Sequence, residues 1–193
     1  NYGKLCLLLP QGDFCGTALK DIAMKDELTG LKNRRFFFKT AERELELAKR
    51  YGTEFAIVIF DIDELKAIND TYGHIVGDLT LQKIAKTCSQ VIRKVDVFAR
   101  LGGDEFAILV THSIKVDLEI YKNRLLQTIS QTDLVADDQK VSIRASIGAK
   151  RYTQELETID EILNLADREM YNHKRGKKSF QPNHVFTGRS FVF

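Results

Sequence analysis

Between Phe98 and Leu109 the chain reads "FARLGGDEFAIL": two apolar runs joined through a pair of bare glycines, with two acids directly after them. A two-residue glycine link between runs of strand-forming residues is a strong hairpin signal. It predicts strands over Asp96–Leu101 and Glu105–Val110, paired through Gly102-Gly103. A hairpin fixed in mid-chain argues against an all-helical bundle and breaks the βα alternation of a parallel-sheet fold. It also poses a question of placement, because Asp104 and Glu105 stand where buried strand should begin.

The flanking segments supply a sheet with helices on it. "EFAIVIFDID" is a continuous apolar run rich in β-branched and aromatic residues, the pattern of a central strand covered on both faces. Before it, Asn33 is placed to cap a helix running to about Tyr51. Phe37, Ala41, Leu45 and Ala48 stack at helical spacing there, and Gly52 ends it. Further helices are predicted over about Asp78–Lys94, Ile114–Gln131 and Ile159–His173, and a strand over about Val141–Arg151. The order α-β-α-β-β-α-β-α predicts an α+β fold, a largely antiparallel sheet flanked by helices.

At 193 residues and 44% hydrophobic content, the chain can build one real core. Its 29 basic and 27 acidic residues lack the basic excess of a nucleic-acid binder. Cys6, Cys15 and Cys88 are odd in number and widely spaced, which argues against a disulfide scaffold or a zinc site and fits a reducing, cytoplasmic setting. Cys88 reads as a small core residue. The apolar run Leu5–Pro10 is too short to cross a bilayer, so no membrane contact is expected from this stretch. The chain starts at Asn, so residues 1–24 read as a linker from an upstream region, with room there for a membrane anchor. Residues 25–180 read as the functional domain and 181–193 as a tail or last strand.

The chemistry should lie where acids meet strand ends. In "FDID", Asp61 and Asp63 share a face because strand side chains alternate. If the hairpin lies alongside, its carboxylates converge on theirs. Converging carboxylates repel and stay ionised only around a cation. Hard oxygen ligands on rigid strands suit Mg²⁺, and the layout suits two-metal phosphoryl transfer. Alternation sends Asp104 and Glu105 to opposite faces unless the strand is bulged, so Asp104 is expected as direct ligand, with Glu105 second or shared. Asp63 is expected to cap the helix beginning at "ELKAI". Gly102 and Gly103 let a ligand approach the backbone closely. "KAINDTYGHIVGD" adds Asn69 and Asp78, an amide and a carboxylate that match the edges of guanine. Lys66 and His74 lie within reach of phosphates.

Together, "DELTGLKNRR", "FDIDELKAINDTYGHIVGD", "RLGGDEF", "SIG" and "ADREMYNHKRGK" resemble the GGDEF family of bacterial diguanylate cyclases, in its order and spacing over roughly Asp26–Lys178. The resemblance implies a palm-like, ferredoxin-related nucleotide cyclase fold. It implies condensation of two GTP into cyclic di-GMP with release of two pyrophosphates, across a homodimer. Two Mg²⁺ per site are implied, with Mn²⁺ as a substitute. By the same resemblance, Asp61, Asp104 and the Ile62 carbonyl hold metal, and Asp104 or Glu105 helps to deprotonate the attacking 3′-hydroxyl. Asn69 and Asp78 read guanine, Lys66 and His74 line the pocket, and Lys174 with Lys177 or Lys178 holds the terminal phosphates. Glu64-Leu65 departs from the usual aromatic or His pair, and the ending "KRGKK" is one residue short of the family's. "RKVD" matches the inhibitory RxxD motif, in which Arg93 and Asp96 bind product; otherwise it is a local ion pair. A non-catalytic module that senses cyclic di-GMP or GTP is the alternative.

Overall fold

In the computed structural model, which describes residues 23–179 apart from 133, 137 and 138, the predicted hairpin lies at the middle of the sheet. In chain order the strands are β1 (Lys32–Asn33), β2 (Phe55–Ile62), β3 (Val97–Gly102), β4 (Glu105–Thr111), β5 (Val135–Ala136), β6 (Gln139–Lys140) and β7 (Ala145–Arg151). The helices are α1 (Arg34–Tyr51), α2 (Leu65–Tyr72), α3 (His74–Val91), α4 (Leu118–Ser130) and α5 (Ile159–Ser179), with a 3₁₀ turn at Ser113–Lys115. Five strands form one sheet in the order β1-β3-β4-β2-β7, antiparallel except for the short β1–β3 pair. This is the α+β fold expected. Expectations for residues 1–22 and 180–193, including Cys6, Cys15 and a last strand, lie outside the described residues.

All eight residues of β2 are buried. Ala56, Val58, Phe60 and Ile62 pack with α2, α3 and α4, whereas Phe55, Ile57 and Ile59 pack with α1 and α5. The period-2 alternation of one strand thus serves two hydrophobic layers. Phe60 stacks on Phe106 with ring centroids 5.0 Å apart, fixing β2 against β4. Cys88 is buried on α3, and burial pushes its thiol up to about 12.

α1 begins and ends as the sequence predicts. Asn33 accepts from the Phe36 N–H at 3.0 Å, and Gly52 closes the helix in the left-handed region at φ 67. Other boundaries differ. α2 is a separate two-turn helix, so α3 begins at His74 rather than near Asp78. The segment before β7 forms the small β5–β6 hairpin, and α5 runs to Ser179 rather than stopping near His173. That extension carries Lys174 and Lys177 on helix.

β7 is an edge strand, and α5 seals its edge. The Ile147 N–H donates to His173 Nδ1 at 3.1 Å and the Ala149 N–H to a Glu169 carboxylate oxygen at 3.0 Å. Gly148 lets the helix come this close: a Cβ there would stand 2.0 Å from the Ala166 carbonyl oxygen. Burial, followed by the neighbouring Lys177 charge, lowers the His173 pKa, so the ring stays the neutral acceptor this contact needs.

Candidate active site

The hairpin closes one residue later than the glycines alone suggest. Gly102 still pairs with Glu105, and the connecting pair is Gly103-Asp104. The register shifts between Arg100 and Gly102, a bulge that absorbs Leu101. Arg100 holds the turn: its Nε and Nη2 donate to the Gly103 carbonyl at 3.0 and 2.7 Å, and Nη1 meets Asp26 at 3.2 Å. Asp26 also accepts from the backbone and hydroxyl of Thr29. Burial pushes the Asp26 pKa up, but the bonds from Thr29 and Arg100 outweigh it and hold the carboxyl below its ordinary value. "DELT" thus braces the acidic turn from outside, a role its sequence position did not reveal.

The bulge brings both hairpin acids to the end of β2. Glu105, not Asp104, is the residue directly opposite Asp61 in register. Asp104 follows through the backbone, where the Ile62 N–H donates to its carbonyl at 3.2 Å. Burial raises the Asp61 pKa; the Lys174 hydrogen bond opposes this, and the charges of Asp104 and Asp63 add to it. Burial likewise raises Glu105, with Asp104, Asp61 and Asp167 adding and Arg34 opposing. The charges therefore destabilise one another, the condition that a bound cation relieves.

Asp63 does not cap α2. The N-cap position is Glu64, in the left-handed region at φ 60 and without a side-chain capping bond. The Asp63 carboxylate turns across the sheet instead, accepting from the Ser146 hydroxyl at 2.7 Å and from Lys177 Nζ at 3.0 Å. Lys174 Nζ donates to Asp61 Oδ1 at 2.6 Å. Both lysines assigned to terminal phosphates thus lie against the carboxylates; the side chain of Lys178 lies outside the described part.

Among the described residues no cluster of three or more His, Cys, Asp or Glu side chains forms a ready-made metal cage. A site of two carboxylates and the Ile62 carbonyl is nevertheless the donor set Mg²⁺ takes when substrate phosphates complete its shell. The raised carboxyl pKa values at Asp61 and Glu105 fit such a cation.

The base-reading candidates lie on the paired helices α2 and α3, joined at Gly73 in a positive-φ conformation. Asn69 Oδ1 is buried with no hydrogen-bond partner. It packs on Gly77, where a Cβ would stand 1.8 Å away, and so lies beside the residue that precedes Asp78. A buried, unpaired amide oxygen is costly and marks a place where a ligand can complete the bonding. Asp78, Lys66 and His74 are exposed.

Arg93 and Asp96 form more than a surface ion pair. Arg93 Nε and Nη2 reach the two Asp96 oxygens at 2.9 and 2.7 Å, and Nη2 also donates to the Thr111 carbonyl. Asp96 accepts from the Thr111 N–H as well, and its side chain is 0% exposed against 37% for Arg93. Of the pair only Arg93 meets solvent, beside a cavity of about 410 Å³ that Lys32, Phe36 and Ser89 also line. Asp96 thus acts within the fold, aiming Arg93.

A family model described as the GGDEF domain of diguanylate cyclases matches residues 23–179. The chain belongs to this family. It is 36% identical over 156 residues to the bifunctional diguanylate cyclase/cyclic di-GMP phosphodiesterase MucR of Pseudomonas aeruginosa, covering 81% of this chain and 23% of that protein. It is 29% identical over 164 residues to diguanylate cyclase A of Treponema denticola, covering 83% and 44%. Among solved structures, the coiled coil and GGDEF domain of DgcB from Caulobacter crescentus, in complex with c-di-GMP, superposes with a TM-score of 0.78 at 25% identity, covering 84% of this chain and 86% of that one. Diguanylate cyclase SiaD of P. aeruginosa, in complex with its activator SiaC, gives 0.77 at 30%, covering 84% and 62%. The chain spans less than half the length of these two curated relatives. Among the described residues no helix is long and apolar enough to cross a membrane.

Proposed function

We propose that residues 25–180 form a cytoplasmic catalytic domain that condenses two GTP into 3′,5′-cyclic di-GMP and two pyrophosphates. The observation that carries this reading is the gathering of Asp61, Asp104 and Glu105 at one strand end, with Lys174 on Asp61 and Lys177 on Asp63.

A triphosphate belongs at that end of β2. Lys174 with Lys177 or Lys178 would hold its terminal phosphates, and the small Gly102-Gly103 backbone would let it approach. Asp61, Asp104 and the Ile62 carbonyl would hold Mg²⁺, or Mn²⁺ in its place, two ions per site; bound metal neutralises phosphate charge and lowers the pKa of the attacking hydroxyl. Asn69 and Asp78 would read guanine, with Lys66 and His74 at the pocket wall. With two domains face to face, the 3′-oxygen of one GTP attacks the α-phosphorus of the other. The bond to pyrophosphate breaks, and Asp104 or Glu105 takes the hydroxyl proton. A second, symmetric attack closes the ring. Because each turnover needs two domains, activity should rise more than linearly with concentration while the domain is monomeric.

Product would bind at Arg93, with Asp96 fixing its guanidinium, and restrain turnover. Incubation with GTP and Mg²⁺, followed by chromatography, tests the reading. Cyclic di-GMP is expected from the native chain and none from a folded Asp61→Asn variant. Binding of cyclic di-GMP or GTP without turnover would favour a sensor module instead.

A further inference from the structure

The two acids of "FDID" have different tasks. They lie two residues apart on one face at the end of β2, while Lys174 and Lys177 lie three apart on α5, so strand alternation and helix pitch match two acids to two lysines. Asp61 meets Lys174 through Oδ1. Asp63 is committed at both oxygens: Oδ1 accepts from the fully buried Ser146 hydroxyl and Oδ2 accepts from Lys177. Its backbone is pinned too, by a 2.9 Å bond from its N–H to the Arg144 carbonyl. Lys177 completes the arrangement by donating to the Ala145 carbonyl and, at 3.4 Å, to Ser146 Oγ.

We infer that Asp63, backed by Ser146, is a positioning residue that holds the Lys177 ammonium where the terminal phosphates of a bound nucleotide lie. This rests on the nucleotide cyclase reading above and deepens it, because it takes Asp63 away from the metal. A lysine carries a long flexible stem, and ordering it costs rotamer entropy at the moment of binding. A buried serine and a fixed carboxylate order that stem in advance, so less of the phosphate contact is spent on it. The Lys177 side chain is 35% exposed, and its long 3.4 Å contact to Ser146 Oγ is the one that an incoming phosphate oxygen would replace.

The test is equilibrium binding of GTP and of GMP, both with Mg²⁺, to the native chain and to Asp63→Asn, Ser146→Ala, Lys177→Gln and the Asp63→Asn/Lys177→Gln double variant. Loss of one ordered charge-assisted contact should weaken GTP about tenfold and GMP less than about twofold in Asp63→Asn. The double variant should bind GTP no worse than Lys177→Gln alone, since both changes remove one device. An unchanged GTP-to-GMP ratio in Asp63→Asn, or additive losses in the double variant, overturns the inference. Should Asp63→Asn fail to fold, Ser146→Ala decides: a smaller fall in the same ratio supports the inference and an unchanged ratio overturns it. A native chain that does not prefer GTP to GMP refutes the parent reading, and this one with it. A native preference kept intact in the variants refutes this one alone.

Discussion

Replacing Gly148 by alanine should force α5 away from the sheet. The new Cβ would stand 2.0 Å from the Ala166 carbonyl oxygen and 2.5 Å from the Met170 nitrogen, both backbone atoms of α5. Ordinary contact begins at 3.4 Å, so the helix must retreat by about 1.4 Å (3.4 − 2.0). No side-chain rotation relieves this, because the obstacle is main chain. The retreat would stretch the bonds from Ile147 to His173 and from Ala149 to Glu169, now 3.1 and 3.0 Å, beyond useful length. It would also draw Lys174 and Lys177 from Asp61 and Asp63. Overpacking costs about 1–3 kcal/mol, and the rigid obstacle puts this case at the upper end. At roughly 2–4 °C per kcal/mol for a domain of this size, the melting temperature should fall by about 6–12 °C. Thermal denaturation followed by circular dichroism measures the fall, and GTP turnover should drop with it. A melting temperature within about 1 °C of the native value would refute the packing argument.

Gly77→Ala makes a contrasting case, since its obstacle is the Asn69 side chain rather than backbone. The amide should swing aside with little loss of stability, while preference for GTP over ATP falls about tenfold; an unchanged preference would separate Asn69 from base reading. Glu105→Gln tests the electrostatics. A carboxyl raised above its ordinary 4.5 binds its proton more tightly folded than unfolded, so ionising it removes stability as pH climbs through that window, and the loss persists at neutral pH. In metal-free buffer Glu105→Gln should therefore melt above the native chain at neutral pH, and the gap should close below the ordinary carboxylate range. A variant that melts lower at neutral pH contradicts the strain assigned to the acidic turn. Arg93→Ala should abolish restraint by added cyclic di-GMP while leaving initial rates close to native, read as an inhibition curve; an unshifted curve would leave "RKVD" as an internal clamp.

Legibility in the sequence followed the range of the interactions. β2 and both ends of α1 could be read directly, because an apolar run, an Asn cap and a left-handed Gly are all local signals. β1, β5 and β6 leave no local signal; each is two residues long and exists only through its partner. The glycine pair by itself places the hairpin turn one residue early, because the bulge at Leu101 depends on Arg100 reaching the Gly103 carbonyl. Sequence alone makes Asp63 a helix cap, since its actual partners, Ser146 and Lys177, lie 83 and 114 residues away along the chain. Where local and distant partners compete for one carboxylate, spacing shows only the local one. The convergence of Asp61 with the hairpin acids was legible in outline, whereas the choice of Glu105 as direct opposite required the register.

The sealed rim of β7 bears on how two such domains can meet. With the outward amides of Ile147 and Ala149 already answered by an imidazole and a carboxylate from the same chain, that border has no ladder to offer a newcomer. Two copies therefore cannot fuse there into one continuous sheet. A neighbour that leaves this rim intact has to meet the domain through its other surfaces, so the seat of α5 on the sheet stays as folding made it.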